Sequence, residues 1–227
     1  MLSLSNKLSL NTTKAWHPTT ELDLELFLEH KRLGHASDLA DVTTWTDSST
    51  QGNDFTQSTS GAKPSYTVLD GSVNFDGNDH LSCSSEIDLD GGFIVAMRMH
   101  ISDPISSDTF IASDSTANNF IRFDDESLVR FKIAGSAGKF ISLDSDLETD
   151  QKHTVMLARD ASNVCTFYLD GVAQADTETQ SGNLLLDTIG QKQGNTNHFE
   201  GKIYEVQVYS SYSLDLIKRV NTHLSMI

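Results

Sequence analysis

With 227 residues, 32 acidic against 16 basic side chains and a formal net charge of −16, the chain is long enough for one large sandwich without covalent staples. An extended polyanion is repelled by most of such a surface, which excludes duplex nucleic acid as a partner. No apolar run approaches membrane-spanning length, and Met1 to Leu8 lacks the basic start and unbroken apolar stretch of an export signal, so the expectation is a chain folded in the cytosol with no membrane partner.

Residues 1–20 are polar, end in Trp16-His17-Pro18 and read as an N-terminal arm or edge strand; 21–227 read as a single domain with a leading segment, 21–72, and a sandwich body, 73–227. Leu22, Leu24, Leu26 and Leu28 alternate with acidic residues, which predicts a strand with one apolar face. Between 34 and 72, Ser, Thr, Asp and Gly surround the isolated anchors Trp45, Phe55, Pro64 and Tyr66, which predicts a long ordered loop region with short strands.

From Val73 the alternation becomes regular. Strands are predicted at 79–83, 93–101, 108–113, 119–124, 128–134, 139–143, 153–160, 163–170, 171–175, 185–190 and 201–209. Tight-turn signatures punctuate them at Phe75-Asp76-Gly77-Asn78-Asp79, Asp90-Gly91-Gly92, Gly135 to Gly138, Tyr168-Leu169-Asp170-Gly171 and Phe199-Glu200-Gly201. Cys165, Phe167 and Leu169 share the core face of one strand, and Cys83 and Cys165 are expected to be reduced, packed thiols. Ser213 caps a short helix with Leu214, Ile217, Val220 and Leu224 at helical spacing, expected to dock on the sandwich edge. The fold class that follows is all-β, an antiparallel two-sheet β-sandwich of jelly-roll type with a short C-terminal helix.

At this point the residues carry a likeness. Phe75 to Asp79, His153-Thr154-Val155, Arg159-Asp160, Tyr168 to Gly171 and Gly201-Lys202-Ile203-Tyr204-Glu205-Val206 stand in the order found in the laminin-G-like branch of the concanavalin A-like lectin/glucanase sandwiches, which the chain resembles. Upstream, Trp16-His17-Pro18, Leu22 to Leu28, Trp45-Thr46-Asp47-Ser48-Ser49, Gly52-Asn53, Thr56-Gln57 and Pro64-Ser65-Tyr66 resemble a form common in tail and other structural proteins of bacteriophages. The chain departs from the pattern at Ser49, where Gly is usual, and at Tyr204, where an Asp that serves relatives as calcium ligand or strand-end anchor is usual. The resemblance implies a non-enzymatic virion structural protein, a capsid decoration, fibre or tail component folded in the host cytoplasm. It would be homo-oligomeric, in contact with other virion proteins or a host surface glycan, and need no cofactor. A carbohydrate-binding module and a glucanase are the rivals.

Glu86-Ile87-Asp88-Leu89-Asp90 is the catalytic lead, because alternate positions put carboxylates on one strand face and glucanases of this fold carry a Glu-x-Asp-x-Glu-type strand; Asp90 and the following Gly91-Gly92 argue for a turn instead. The same Glu86, Asp88 and Asp90 also read as a partial calcium loop, though Met97 stands where an EF-hand needs its bidentate carboxylate. Asp76, Asn78 and Asp79 form a second oxygen cluster, readable as a calcium site or as side chains bonding turn backbone. Eight scattered His residues show no zinc spacing. Trp45, Tyr66 and Tyr209 are the candidate aromatic platform for a sugar ring.

Overall fold

The computed structural model describes residues 15–29, 33, 37–135 and 137–227; most of the predicted N-terminal arm, along with His30 and His35, lies outside them. A 3-10 turn at Pro18–Thr20 leads into β1 (Leu24–Leu28), followed by four short strands, β2 (Ala40–Asp41), β3 (Thr44–Trp45), β4 (Phe55–Thr56) and β5 (Ser65–Thr67). The body continues through β6 (Ser72–Asp76), β7 (Leu81–Leu89), β8 (Phe93–Ile101), β9 (Asp108–Ala112), β10 (Phe120–Asp125) and β11 (Leu128–Lys132). Then come β12 (Lys139–Ser142), β13 (Lys152–Arg159), β14 (Val164–Leu169), β15 (Val172–Thr179), β16 (Leu184–Ile189) and β17 (Glu200–Tyr209), and the chain closes with helix α1 (Leu214–Leu224).

The strands form two antiparallel sheets, as expected. The nine-stranded sheet runs β15-β14-β13-β8-β17-β6-β5-β2, with β1 also on β17, and the eight-stranded sheet runs β12-β11-β10-β9-β16-β7-β4-β3. Period-two alternation sends Phe123, Val129 and Phe131 from one sheet and Val95, Met97, Leu157 and Phe167 from the other into a shared core, while the intervening side chains face outward. Cys165 is buried in that core, Cys83 is half-buried, and both are free thiols. No helix among the described residues is long and apolar enough to cross a membrane.

Four local expectations need correction. In β1 a register shift between Leu24 and Leu26 breaks the alternation, so Leu26 and Leu28 enter the inter-sheet core whereas Leu24 and Phe27 face the helix, and Leu22 stands 97% exposed ahead of the strand. Residues 86–89 continue β7 instead of forming a loop. Gly201 is not in a turn: it lies inside β17 at φ 147°, where a Cβ would sit 2.3 Å from the His100 carbonyl oxygen, so glycine lets two backbones close up. The helix covers a face of the nine-stranded sheet, not its edge. Ser213 Oγ accepts from the Leu216 amide at 3.0 Å, and Leu216, Ile217, Val220 and Leu224 pack on Ile94, Ala96, Met156, Ala158 and Tyr209; Leu214 is exposed.

Two polar knots hold this frame. Arg159, fully buried on β13, donates to the carbonyls of Gly91 (2.8 and 2.5 Å), Gly182 (2.6 Å), Leu89 (3.3 Å) and Gln180 (3.4 Å), and its guanidinium lies 4.8 Å from the Phe93 ring centroid. It thereby ties together two of the crossovers between sheets, β7 to β8 and β15 to β16. In the leading segment, buried Asp47 accepts from the amides of Phe27, Ser49 and Asn53 at 2.9 Å each and from Ser49 Oγ at 2.6 Å, while Asn53 Nδ2 returns a bond to Glu25 O at 2.9 Å. The Trp-x-Asp-x-Ser motif is thus a clasp between β1 and the β3–β4 loop, and Ser49 uses its hydroxyl in it.

Removing the Arg159 head strands several buried carbonyls. Arg159→Met is expected to lower the unfolding free energy by roughly 3 kcal/mol or more in urea titrations, with Arg159→Lys recovering less than half, since an ammonium cannot span four spread carbonyls. Asp47→Ala, which leaves buried amides unpaired, should cost about 2–3 kcal/mol in the same assay.

Candidate functional site

Helix α1 and the Trp16 region cover the outer face of the nine-stranded sheet, so attention falls on the outer face of the eight-stranded one. Register pairs carry one row of residues straight across it: Thr44 opposite Thr56, then Ser82, Thr188, Ala112, Phe120 and Lys132. Directly opposed residues of antiparallel strands project to the same side, so seven positions scattered from 44 to 188 become neighbours.

At the β3–β4–β7 end the row opens into a groove of about 510 Å³ lined by Thr43, Thr44, Thr56, Gln57, His80 and Ser82, with Cys83 and Ser84 beyond. Ser82 Oγ and Thr188 Oγ1 lie 3.2 Å apart, and Gln57 Nε2 lies 2.8 Å from His80 Nε2. Burial, then His198, pushes the His80 pKa down, so its ring is neutral near pH 7; Nε2 accepts from Gln57 and Nδ1 is an N–H with no hydrogen-bond partner in the protein. Hydroxyl, amide and imidazole groups on an open floor suit a polyhydroxylated ligand.

Toward the middle of the sheet the side chains turn acidic. Glu86 and Asp88 lie exposed on β7; Glu86 Oε1 accepts from Ser113 Oγ (2.8 Å) and Ser115 Oγ (2.6 Å), and Asp88 Oδ1 accepts from Asn183 Nδ2 (2.9 Å). Asp90 follows the end of the strand and is exposed. Beside them Asp187, buried on β16, accepts from the Asp114 amide at 2.7 Å, and burial, reinforced by Asp114 and Glu86, raises its pKa to about 6. Sequence reading missed Asp187, which alternation alone would have assigned to an ordinary strand.

The two acidic sets proposed for calcium are not gathered as ligand shells. Asp76 Oδ1 accepts from the Asn78 amide and Asp79 Oδ2 from the Asp76 amide, each at 3.0 Å, so the turn itself uses these oxygens, and burial raises the Asp79 pKa to about 6. Glu86 and Asp88 diverge to separate partners, Asp90 lies beyond the strand, and among the described residues no group of three or more His, Cys, Asp or Glu side chains converges as a metal would require. The aromatic platform is also corrected. Trp45, Tyr66 and Tyr209 are buried, with Trp45 Nε1 donating to Glu29 O (3.2 Å) and Tyr209 Oη to Gln207 Oε1 (2.6 Å), so no ring face among them is open to a sugar.

A second feature unseen in the sequence occupies the β10–β11 end. Arg122, Arg130 and Lys192 surround the Phe120 ring at 5.3, 5.8 and 4.9 Å from its centroid, Arg130 also lies 5.0 Å from Phe140, and Lys132 shares the row with Phe120. Basic residues alternating with apolar ones at 120–123 and 129–132 were the available signal, diluted by the chain's overall negative charge.

The raised carboxyls set a pH dependence. For Asp79, Asp108 and Asp187, each at about 6 when folded against an ordinary 3.8, the native state holds protons that the unfolded chain has released, so stability falls as pH climbs from about 4 to about 6. His153, raised by its hydrogen bond to Asp170, adds stability that is lost above its folded pKa; His80, held down by burial, works in the opposite direction as one group against these four, while the lowered Asp70 and Asp170 matter only under more acidic conditions. Thermal melts should give a higher Tm near pH 5.5 than near pH 8. Asp187→Asn, which keeps an acceptor for the Asp114 amide, should raise Tm at about pH 8 and flatten the slope.

Comparison with known proteins agrees with this fold. Residues 75–214 match the family described as Laminin_G_3, concanavalin A-like lectin/glucanases superfamily. No curated protein sequence matches the chain. Among solved structures, domain 4 of AbnA, a GH43 extracellular arabinanase from Geobacillus stearothermophilus in complex with arabinotriose, superposes with a TM-score of 0.62 at 14% identity, over 88% of this chain and 97% of that one. The heptameric SAP-like pentraxin of Limulus polyphemus gives 0.52 at 16% identity, over 67% and 81%. Trypanosoma rangeli sialidase in complex with sialic acid gives 0.58 at 14% identity, over 91% of this chain but 33% of that enzyme. At such identities these likenesses establish the fold alone. Because the matched segment runs from the Phe75 turn through the last strand to the start of the helix, well over half its length, the chain belongs to the concanavalin A-like lectin/glucanases superfamily.

Proposed function

We propose that this lectin-like sandwich is a non-enzymatic recognition domain that binds carbohydrate along the outer face of its eight-stranded sheet. The observation that carries the reading is the open groove in which Thr44, Thr56 and Ser82 stand in one register row beside Gln57 and His80. The arabinotriose complex of the arabinanase domain supports it, as a sandwich of this shape holding an oligosaccharide. Binding needs no metal in this reading, because the acidic side chains near the groove are bonded to protein partners. Catalysis is not part of it, since Asp90 falls beyond the strand that would have to present it and Asp187 is committed to a backbone amide.

The setting we propose is a bacteriophage virion, with the protein acting in several copies as a capsid decoration, fibre or tail component that contacts other virion proteins and a host surface glycan. Its support is the motif order of residues 16–66, which threads β1 to β5 into both sheets and forms one wall of the groove. Mass spectrometry of purified particles should recover the chain; particles lacking it would sink this setting.

A glycan array run with calcium and with EDTA should give a saturable neutral-oligosaccharide signal that EDTA leaves intact. Gln57→Ala combined with Ser82→Val should weaken it roughly tenfold, the loss expected from one or two ligand hydrogen bonds. Absence of any saturable sugar signal rejects the reading, and polysaccharide turnover abolished by Glu86→Gln would replace it with a glycosidase.

A further inference from the structure

Beyond the hydroxyl groove, the same outer face concentrates positive charge in a chain whose net charge is −16. Arg122, Arg130, Lys132 and Lys192 come from β10, β11 and the β16–β17 connection and gather over Phe120. Among the described residues, Asp124 is the one carboxylate within ion-pair distance of them, at 2.5 Å from Arg122 Nε and 3.9 Å from Arg130 Nη1. Lys132 Nζ donates to the neutral Asn118 Oδ1 at 2.9 Å, and the buried Arg130 Nε has no hydrogen-bond partner. Burial, followed by repulsion from Arg122, Arg130 and Lys132, holds the Lys192 ammonium below the ordinary lysine range.

Four cations around one carboxylate repel one another, and an incoming anion would relieve that repulsion. A guanidinium fork fits a carboxylate or sulfate bidentately, and Phe140, 39% exposed beside Arg130, offers an open apolar ring next to the charge. The register row puts this zone and the groove on the same face of the sheet, because Phe120 and Lys132 continue the line of Thr44, Thr56 and Ser82, with Thr188, Ala112 and Phe120 buried between the two ends. A ligand that meets both ends must therefore combine hydroxyls with acid groups.

Resting on the carbohydrate-binding reading, we infer that Arg130, Lys132 and Lys192, seated around Phe120 and beside Phe140, take the acidic groups of a carboxylated or sulfated saccharide whose neutral part reaches the hydroxyl groove. The full chain would be tested by biolayer interferometry against polygalacturonic acid, dextran sulfate, neutral dextran and poly-glutamate. Saturable binding is expected to polygalacturonic acid or to dextran sulfate, which identifies the acid group, and to weaken as salt is raised. The triple variant Arg130→Gln, Lys132→Gln, Lys192→Gln should bind that polymer at least roughly tenfold more weakly, because charge-assisted hydrogen bonds are removed. Its Tm should hold or rise, which a purely structural role for these cations would not produce. Phe140→Ala provides an independent loss of affinity with no change in charge.

The inference is overturned if neither acidic polysaccharide binds, if the triple variant binds as tightly as the unaltered protein, or if poly-glutamate binds as tightly as the polysaccharides. Retained neutral-oligosaccharide binding alongside failure of the acidic polymers removes this inference and leaves the lectin reading standing. Failure of every saccharide removes both.

Discussion

A single buried cation organises this molecule. Arg159 carries its charge out of water without a carboxylate partner, a desolvation cost of several kcal/mol that is offset here by five hydrogen bonds to backbone carbonyls and by the Phe93 ring. Those carbonyls belong to two of the places where the chain passes between sheets, around Gly91 and around Gly182. The strands that meet there, β7 and β16, begin their pairing at Leu89 and Leu184, next to the clamp. Their outward residues Ser82 and Glu86, with Asp187 and Thr188 buried beside them, lie at the centre of the candidate face. A side chain of the nine-stranded sheet therefore fixes the ends of the strands on which the site is built.

The leading segment is as much a part of that surface as the matched family segment. Asp47 and Asn53 fasten β1 to the β3–β4 loop, and β3 and β4 then extend the eight-stranded sheet past β7. Thr43, Thr44, Thr56 and Gln57 supply one wall of the groove, with His80 and Ser82 opposite. The segment that matches the family begins at residue 75 and supplies only the second wall.

The two outer faces divide their roles by what covers them. On the nine-stranded sheet, outward residues such as Ile94, Ala96, Met156 and Tyr209 are apolar and sit beneath α1, so that face is spent on stability. The eight-stranded sheet presents hydroxyls, then carboxyls, then cations in sequence from β3 to β11, without a helix above them. Such sorting of polar chemistry along one sheet suits recognition of an extended ligand better than a single deep pocket would.

Local alternation determined a great deal without any structure. The strand over 93–101 begins and ends where the alternation does, the Asp170-Gly171 turn takes up the left-handed conformation its residues favour, and Ser213 caps the helix it precedes. Side-chain parity within a strand is a property of neighbouring residues, so composition reveals it. What only the tertiary structure decided is everything that depends on register between strands far apart in the chain. Bulges at Leu24/Leu26 and Ile203/Glu205 changed which residues face the core, Trp45, Tyr66 and Tyr209 proved to be packing residues, and the row from Thr44 to Lys132 drew on seven separate strands. Register is set by the mutual fit of both sheets around the core and by clamps such as Arg159, and no local window of sequence contains that information.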